Sequence, residues 1–369
     1  MNNEPFEILL VCAPGFEPVL KEEAEKAGFD NPKVINGGVT ITGAWVDVWR
    51  ANLVLRGATK VLARIGEFRA FHLAQLDKRA RKFPWAEVLR KDIPVSVEAT
   101  CLKSKIYHDR AAAQRVERAI QEEQGIEIRK DAPVRIMVRI EDDLVTISID
   151  TSGGSLHKRG HKAAVGKAPM RETLAALFLR RCGYNGAETV LDPMCGSGTF
   201  VIEAAEIALG LVAGRFRTFA FEHLANAKTD TIAALRVAPQ THTNLRFYGF
   251  DRDDGAVKNA SANAERAGVA EIVQIARAPI SDLTAPAGDP GLVMINPPYG
   301  GRIGNRKMLF SLYGTMGEVL KSGFSGWRVG IITDDGGLAK ATGLPFLPVQ
   351  KAVDHGGLKV KLYQTGPLA

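Results

Sequence analysis

The residues best suited to chemistry fall in three short segments, each at the end of a predicted strand. The first is TVLDPMCGSGTFVI at 189–202, where an apolar strand ends at Asp192 and a glycine-containing turn leads into a predicted helix. The second is LRFYGFD, which ends at Asp251, and the third is NPPY at 296–299. A strand, a tight turn and a helix open a doubly wound α/β domain, whose ligand lies beyond the carboxyl ends of its strands.

The turn at 195–199 lacks the signatures of two common classes of nucleotide-binding protein. A dinucleotide-binding turn reads G-x-G-x-x-G, and Val201 stands where the third glycine would be. A P-loop ends in Gly-Lys-Ser or Gly-Lys-Thr, which this segment does not contain. We therefore favour S-adenosylmethionine (AdoMet), which has a ribose, an adenine and a charged methionine group but no phosphate.

Two carboxylates and the turn between them suit this cofactor. Asp251 can accept hydrogen bonds from both ribose hydroxyls, as acids do at the second strand of nucleoside-binding sheets. Asp192 can face the ammonium group of the methionine end. The backbone at 195–199 can approach the cofactor closely, because Gly196 and Gly198 carry no side chain.

The NPPY segment suits methyl transfer to an exocyclic amino group of a base. Such a nitrogen is a poor nucleophile because its lone pair is delocalised into the ring. The Asn296 side-chain oxygen and a backbone carbonyl beside Pro297 can each accept one of its N–H groups, which aims the lone pair at the methyl donor. The prolines stiffen the loop, and the tyrosine can stack on a base turned out of its helix. The predicted catalytic residues are Asn296, Pro297, Pro298 and Tyr299.

Positive charge is concentrated in the amino-terminal half of the chain. The formal net charge of all 369 residues is +7, whereas 50–118 alone holds sixteen Lys and Arg against seven Asp and Glu. Phosphate backbones are bound by such patches. Aromatic residues are interleaved with the cations, at Phe68, Phe71, Phe83, Trp85 and Tyr107. We expect each aromatic side chain by itself to belong to the core, and the charge to form a nucleic-acid surface.

Several other classes of protein do not fit the sequence. The four cysteines, which are Cys12, Cys101, Cys182 and Cys195, form no CxxC pair, so we expect neither a disulfide framework nor a zinc site but a reducing cytoplasm. His157 and His161 are crowded by Lys and Arg, which favours a phosphate-facing loop over a metal site. The amino terminus lacks a basic region before its apolar run, and no apolar stretch approaches about 20 residues, so we expect no secretion and no membrane span.

Strands and helices alternate around these segments. Strands are predicted at 6–12, within 34–42, at 245–251, 272–276, 292–295, 329–333 and 359–365, with a β-hairpin at 133–150. Helices are predicted at 16–28, 45–55, 169–181, 230–237, 256–267 and 308–321, and an insertion at 215–223. The pattern indicates an α/β domain that follows a small α/β unit.

The segments DPMCGSGTF and NPPYG resemble the class I AdoMet-dependent methyltransferases that act on amino groups. Others, among them APGFEPVLKEE, GGVTITG, DTSGGSLHKRGHK and APMRETLAA, resemble RNA guanine-N2 methyltransferases that carry a THUMP domain, an RNA-binding module. The likeness runs nearly end to end and is closest to the bacterial 23S rRNA guanine-N2 methyltransferases. It implies a ferredoxin-like unit at 1–55, a THUMP domain at 56–154, a basic linker at 155–168 and a Rossmann-like methyltransferase domain at 169–369.

The resemblance also implies the cofactor-binding residues, with two departures from the pattern of the family. Family members commonly have Glu-Arg after NPPYG, whereas this chain has Gly301 and Arg302. The usual acid of the third cofactor strand is replaced by Pro279, and Asp282 is the nearest substitute. The predicted cofactor-binding residues are Asp192, Met194, Cys195, Gly196, Gly198, Thr199, Asp251, Arg252 and Asp282. No residue is predicted to bind a metal.

Four functions remain open from the sequence. The first is methylation of a guanine N2 in 23S rRNA, with the RNA held by the basic amino-terminal half. The second is the same reaction on tRNA, since tRNA-acting relatives share both domains. The third is DNA adenine-N6 methylation by the same NPPY chemistry, which would need a DNA-recognition domain. The fourth is a non-catalytic RNA-binding or assembly factor, against which the intact Asp192, Asp251 and Asn296 argue.

Overall fold

The computed structural model describes residues 4–163, 169–237, 241–299, 306–355 and 357–369. The chain divides into two compact units. The first comprises Met1–Cys12, Leu20–Leu156 and Arg217–Val237, and the second comprises Ala13–Val19, His157–Phe216 and Ala238–Ala369. Each unit is therefore built from more than one segment of the chain.

The strands and helices alternate along most of the chain. In chain order the strands are β1 (Phe6–Val11), β2 (Asp30–Ile35), β3 (Gly38–Gly43), β4 (Lys60–Arg69), β5 (Val95–Leu102), β6 (Val134–Glu141), β7 (Leu144–Asp150), β8 (Val190–Asp192), β9 (Phe247–Asp251), β10 (Val273–Arg277), β11 (Leu292–Ile295), β12 (Arg328–Thr333), β13 (Val353–His355) and β14 (Leu358–Gln364). The helices are α1 (Glu17–Lys26), α2 (Trp45–Val54), α3 (Leu73–Arg81), α4 (Asp109–Gln124), α5 (Glu172–Arg181), α6 (Thr199–Ala208), α7 (Thr229–Arg236), α8 (Asp254–Ala267), α9 (Arg306–Gly323) and α10 (Gly336–Ala341).

The first unit contains a seven-stranded sheet in the order β2-β3-β1-β4-β7-β6-β5. Its neighbours pair antiparallel except β5 and β6, which are parallel. The predicted hairpin at 133–150 is confirmed, and Asp142 and Asp143 turn it with positive φ angles of 50° and 62°. Four elements between 56 and 132 were not predicted, namely β4, α3, β5 and α4.

The insertion predicted at 215–223 returns to this first unit. The N–H of Phe221 donates to the carbonyl of Thr151 at 3.0 Å, and the N–H of Ala225 donates to the carbonyl of Val88 at 3.0 Å. Trp49 packs on the Phe221 ring, with 6.5 Å between centroids. Backbone pairing and ring packing therefore hold Arg217–Val237 in a unit that is distant in sequence.

The second unit contains a seven-stranded sheet in the order β10-β9-β8-β11-β12-β14-β13. The five strands from β10 to β12 are parallel, and β14 and β13 complete the sheet in antiparallel fashion. β9 and β10 follow β8 on one side, and β11 lies on its other side. The strand order thus reverses beside β8, which creates the crevice where ligands of doubly wound sheets bind. The predicted α/β fold is confirmed.

The central strand β11 explains why the NPPY segment has a firm support. All four residues of Leu292–Ile295 are buried, and they pair with β8 on one side and β12 on the other. A strand buried on both faces reads as a continuous apolar run, as this one does. Helix α9 covers it with Tyr313, Met316 and Leu320, which belong to the same core cluster.

All four cysteines are free thiols, and Cys12, Cys182 and Cys195 are buried. In the part of the chain that the structure describes, no helix combines the length and the apolar character needed to cross a membrane. Nor do three or more His, Cys, Asp or Glu side chains there cluster in a way that could hold a metal ion.

Candidate functional site

A cavity of about 920 Å³ lies in the second unit, beyond the carboxyl ends of β8, β9 and β11. Met194 follows β8, Asp251 ends β9 and Arg252 follows it, and 296–299 follow β11. All of these residues line the cavity. Its volume falls within the range of roughly 300–1,000 Å³ that is usual for small-molecule and cofactor sites. The three segments singled out in the sequence therefore meet at one place.

Asp192 ends β8 with its carboxyl group almost entirely buried, at 2% exposure. Burial, with a smaller contribution from the negative charge of Asp251, raises its pKa to about 8. The N–H of Met194 donates to its Oδ1 at 3.0 Å, which acts in the opposite direction. An acid in this setting gains from any cation brought near it, because a positive charge favours the ionised form.

The turn after β8 uses both of its glycines in the left-handed region. Gly196 has φ of 53°, and Gly198, which precedes α6, has φ of 78°. A Cβ on Gly198 would lie 3.1 Å from a methyl of Ile202 and 3.2 Å from Cβ of Ala260. Gly198 is therefore required by backbone conformation and by close packing on α8, whereas a Cβ on Gly196 would meet no atom within 4 Å among the described residues.

Asp251 connects the end of β9 to this turn. Its Oδ2 accepts a hydrogen bond from the N–H of Gly196 at 3.0 Å, and its Oδ1 accepts one from the N–H of Asp253 at 3.0 Å. Cys195 adds a backbone bond from its N–H to the carbonyl of Phe250 at 2.8 Å. Each carboxylate oxygen has a second lone pair, so Asp251 is held in place and can still accept hydrogen bonds from a ligand.

Asn296 presents an unsatisfied acceptor at the cavity. Its Oδ1 is buried and has no hydrogen-bond partner among the residues that the structure describes. Leaving a buried polar atom unpaired costs about 1–3 kcal/mol. The next residues are better anchored, since the Tyr313 hydroxyl donates to the carbonyl of Pro298 at 3.3 Å. Burial and the charge of Asp334 raise the pKa of Tyr299, which keeps its hydroxyl neutral.

Lys162 belongs to the site although the sequence placed it only in a cationic loop. Its ammonium donates to the Met170 carbonyl at 2.7 Å and to Oγ1 of Thr199 at 2.9 Å. It also lies 3.3 Å from the Glu172 carboxylate. These contacts join the loop before α5 to the first residue of α6. The sequence signal was the cation density of 155–167, which does not say which lysine turns inward.

Two histidines and an arginine also line the cavity, namely His157, His355 and Arg171. Burial lowers the pKa of His157 to about 4, and the charges of Arg171, Lys158, Lys162 and Arg159 act in the same direction. Burial, Arg171 and Lys162 lower the pKa of His355 as well. Both imidazoles are therefore neutral near neutral pH. Nothing in the sequence marked His355, which is the last residue of the short strand β13.

The predicted site residues divide into those that line the cavity and those that support it. Met194, Asp251, Arg252 and 296–299 line it, whereas Asp192, Cys195, Gly196, Gly198 and Thr199 are not among the lining residues and lie in the strand end and turn that carry Met194. Asp282 is exposed and accepts a hydrogen bond from the Ser281 hydroxyl at 2.8 Å. Its neighbours Pro279 and Ile280 line the cavity instead. Gly301, Arg302 and 164–168 lie outside the described residues.

The first unit carries the basic segment 50–118. Lys78, Arg79 and Lys82 are exposed on and just after α3 and form no ion pair among the described residues. Arg81 differs, because Asp77, Glu122 and Glu123 all bind its guanidinium. Of the interleaved aromatics, Trp85 is fully buried, while Phe71 and Tyr107 are 41% and 74% exposed. The expectation of core aromatics therefore fails for Phe71 and Tyr107.

Comparison with known proteins gives matches along nearly the whole chain. A family model described as "RMKL-like, methyltransferase domain" matches residues 159–358, and one described as "RlmL ferredoxin-like domain" matches residues 7–62. Ribosomal RNA large subunit methyltransferase K/L of Psychromonas ingrahamii is 32% identical over 349 residues, which are 90% of this chain and 46% of that protein. The chain spans about half the length of the curated relatives it matches.

Solved structures resemble the chain over its full length. SMU.472, crystallised in complex with SAH, superposes with a TM-score of 0.86 at 28% identity and covers 99% of each chain. A protein of Listeria monocytogenes str. 4b F2365, described as a predicted N6-adenine-specific DNA methylase, superposes with a TM-score of 0.85 at 29% identity and covers 99% of this chain and 97% of its own.

Proposed function

This chain belongs to the family of RMKL-like methyltransferase domains, and from that premise we propose that it transfers a methyl group from AdoMet to the exocyclic N2 amino group of a guanine in RNA. The substrate we propose is the large-subunit (23S) ribosomal RNA, because similar proteins are named ribosomal RNA large subunit methyltransferases. The single observation that carries the proposal is the Oδ1 of Asn296 at the cavity, which is buried and has no hydrogen-bond partner among the residues that the structure describes.

The Asn296 oxygen suits an amino group better than any other acceptor of methyl. An amide oxygen cannot remove a proton from carbon or activate a thiol, but it accepts an N–H hydrogen bond. With a backbone carbonyl of the proline segment as second acceptor, both N–H groups of the base are engaged and the nitrogen lone pair is released from the ring. The nitrogen is thereby oriented as a nucleophile before the reaction, which is how positioning lowers a barrier.

The residues at the ends of β8 and β9 fit AdoMet, which supplies an electrophilic methyl group on a sulfonium sulfur when bound. Asp251 keeps lone pairs available for the two ribose hydroxyls while Gly196 and Asp253 hold it. The buried Asp192 provides a carboxylate for the ammonium group. Gly196 and Gly198 permit close approach of the backbone. We also propose Asp282 as a cofactor-binding residue; its side chain is exposed, and its neighbours Pro279 and Ile280 line the cavity.

We further propose that the first unit holds the RNA. Apart from Ala13–Val19, the first unit contains the predicted ferredoxin-like unit at 1–55, and it contains the predicted THUMP domain at 56–154. The RlmL ferredoxin-like model at 7–62 supports the former. The two predicted pieces share one sheet, since β1 pairs with β4. Lys78, Arg79 and Lys82 would contact phosphates there. The methyltransferase domain at 169–369, with the linker at 155–168 before it, completes the proposed division.

The proposal is tested by methyl transfer from labelled AdoMet to purified ribosomal RNA, transfer RNA and DNA, with the modified nucleoside identified by mass spectrometry. We expect N2-methylguanosine in large-subunit rRNA. Asn296→Ala should lower the rate by about 10²–10³-fold, the scale for losing one positioned transition-state contact. AdoMet affinity, measured by calorimetry, should change little because the residue faces the acceptor.

Asn296→Asp is the matched control, because it keeps an acceptor oxygen at the same place. It should retain more activity than Asn296→Ala. N6-methyladenosine as the product would reassign the chain to adenine methylation, and transfer to tRNA alone would replace the proposed substrate. A rate for Asn296→Ala within a few-fold of the unsubstituted protein would remove Asn296 from the reaction.

A further inference from the structure

His355 is a buried polar side chain at the cavity that the proposed mechanism does not use. It ends β13, is 8% exposed and lines the cavity together with Leu358, its register partner on β14. Its Nδ1 is buried and has no hydrogen-bond partner among the described residues. A protein gains nothing from such an atom in the free state, because the desolvation of an unpaired polar atom is unfavourable. A ligand that pairs with it recovers that cost.

The place of His355 in the sheet separates it from the proposed cofactor residues. In the order β10-β9-β8-β11-β12-β14-β13, Asp192 and Asp251 end β8 and β9, on one side of β11. β13 lies at the opposite edge, so the Asn296 strand stands between the cofactor strands and His355. A ligand group that reaches both Asn296 and His355 therefore lies on the acceptor side of the cavity.

The protonation state of His355 makes it a versatile partner for a base. Burial and the positive charges of Arg171 and Lys162 all disfavour the imidazolium form. A neutral imidazole offers one N–H donor and one lone pair. A guanine presents a donor at N1 directly beside its N2 amino group, followed by an acceptor at O6. A neutral histidine can form a hydrogen bond with either the N1 donor or the O6 acceptor.

We propose that His355 is a specificity-determining residue that hydrogen-bonds the ring edge of the base whose amino group Asn296 engages. The inference rests on the proposed function and assigns to this histidine the recognition of guanine through N1–H or O6. A site that pairs a buried polar group with its substrate rejects analogues that lack the matching atom much more strongly than an apolar pocket can. His355 thereby distinguishes guanine from other bases that carry an amino group.

The test replaces the target guanine of an RNA substrate by 2-aminopurine, which keeps the amino group but lacks both the N1 hydrogen and O6. For the unsubstituted protein we expect kcat/KM to fall by about 10- to 100-fold on 2-aminopurine, the range for one buried hydrogen bond. His355→Ala should lower kcat/KM on guanine and leave that on 2-aminopurine nearly unchanged, so the ratio between the two substrates falls toward one. His355→Asn, which places a polar atom near the Nδ1 position, should restore part of the ratio.

Leu358→Ala is the matched control, because Leu358 lines the same cavity from the same hairpin without a polar atom. It should lower kcat/KM on both substrates alike and preserve the ratio. A His355→Ala variant that also preserves the ratio overturns the inference, since its effect would then be structural. If the unsubstituted protein forms no N2-methylguanosine on guanine RNA, the proposed function itself fails, and the inference with it.

Discussion

Asp192 shows how a single residue can be prepared for a ligand by its surroundings. Its carboxyl group is buried at the end of β8, and both burial and the nearby negative charge of Asp251 raise its pKa, to about 8. It is therefore mostly protonated at neutral pH in the ligand-free protein. The proposed ammonium of AdoMet would shift it to the ionised form, because an adjacent opposite charge favours that form.

This raised pKa predicts a pH dependence of stability. The ordinary pKa of 3.8 for an aspartate in water lies below the folded-state pKa of about 8. Between these two pH values the folded state binds more protons than the unfolded state, so this group makes the free energy of unfolding fall as pH rises. Asp192→Asn removes the titration. We expect its melting temperature to match that of the unsubstituted protein near about pH 4 and to exceed it by a margin that grows as the pH rises toward about 8.

Thermal denaturation of the ligand-free protein across this pH range checks the expectation. Glu318, which is exposed and paired with Lys321 at 2.7 Å on α9, supplies a control position. Glu318→Gln should change the pH dependence little. If the melting temperatures of Asp192→Asn and the unsubstituted protein depend on pH in the same way, Asp192 titrates alike in the folded and unfolded states.

At the scale of elements, the turn between β8 and α6 is constrained both by its backbone conformation and by packing against a neighbouring helix. Gly196 and Gly198 both have positive φ, a region that costs other residues about 1–2 kcal/mol. They differ in surroundings, because only Gly198 is close to α8, at Ala260. The close approach lets α6 and α8 flank the strands that carry Asp192 and Asp251.

The two glycines therefore predict unequal costs of substitution. Gly196→Ala should destabilise the protein by about 1 kcal/mol through backbone conformation alone. Gly198→Ala should cost more, since its Cβ also requires Ile202 and Ala260 to shift. Urea denaturation of the ligand-free variants measures the difference. Equal losses would mean that the packing against α8 relaxes without cost.

At the scale of the whole molecule, formal charge overstates the free positive surface of the first unit. Lys60, Arg64 and Arg90 are paired with Asp150, Glu7 and Asp92, and Arg81 is bound by three carboxylates. Among exposed pairs such contacts stabilise little, but they remove charge that would otherwise face a phosphate. Lys78, Arg79 and Lys82, which form no ion pair within the part of the chain that the structure describes, are better placed for RNA.

We expect the triple variant Lys78→Gln, Arg79→Gln and Lys82→Gln to flatten the salt dependence of RNA binding. Each lost phosphate contact lowers the slope of log K against log salt by about 0.7–0.9. The triple change should therefore reduce the slope by roughly 2–3. Arg81→Gln is the control on the same helix, and it should alter the slope much less because Asp77, Glu122 and Glu123 already hold that charge. An unchanged slope in the triple variant would locate the RNA on another surface.

A strand or helix could be predicted from the sequence only where its pattern of apolar residues lies within a few consecutive residues. Buried strands such as β11 and the hairpin of β6 and β7 carry their pattern in a few consecutive residues. Helix α3 does not, because it buries only Leu76 and Ala80 among many cations. Its stability comes from packing on α4, which no short window of sequence contains. The sequence pattern therefore predicts no strand or helix in the segment 56–132.

The sequence by itself determined the α/β fold and brought Asp192, Asp251 and Asn296 together, because the carboxyl ends of parallel strands meet at one edge of a sheet. The tertiary structure alone decided that Lys162 turns toward Thr199, that His355 reaches the cavity and that Arg81 is neutralised. Each depends on partners that lie tens to hundreds of residues away along the chain. Burial and pairing depend on which residues are neighbours in space. Strand-end motifs reveal such neighbours only where the topology of the sheet is known in advance.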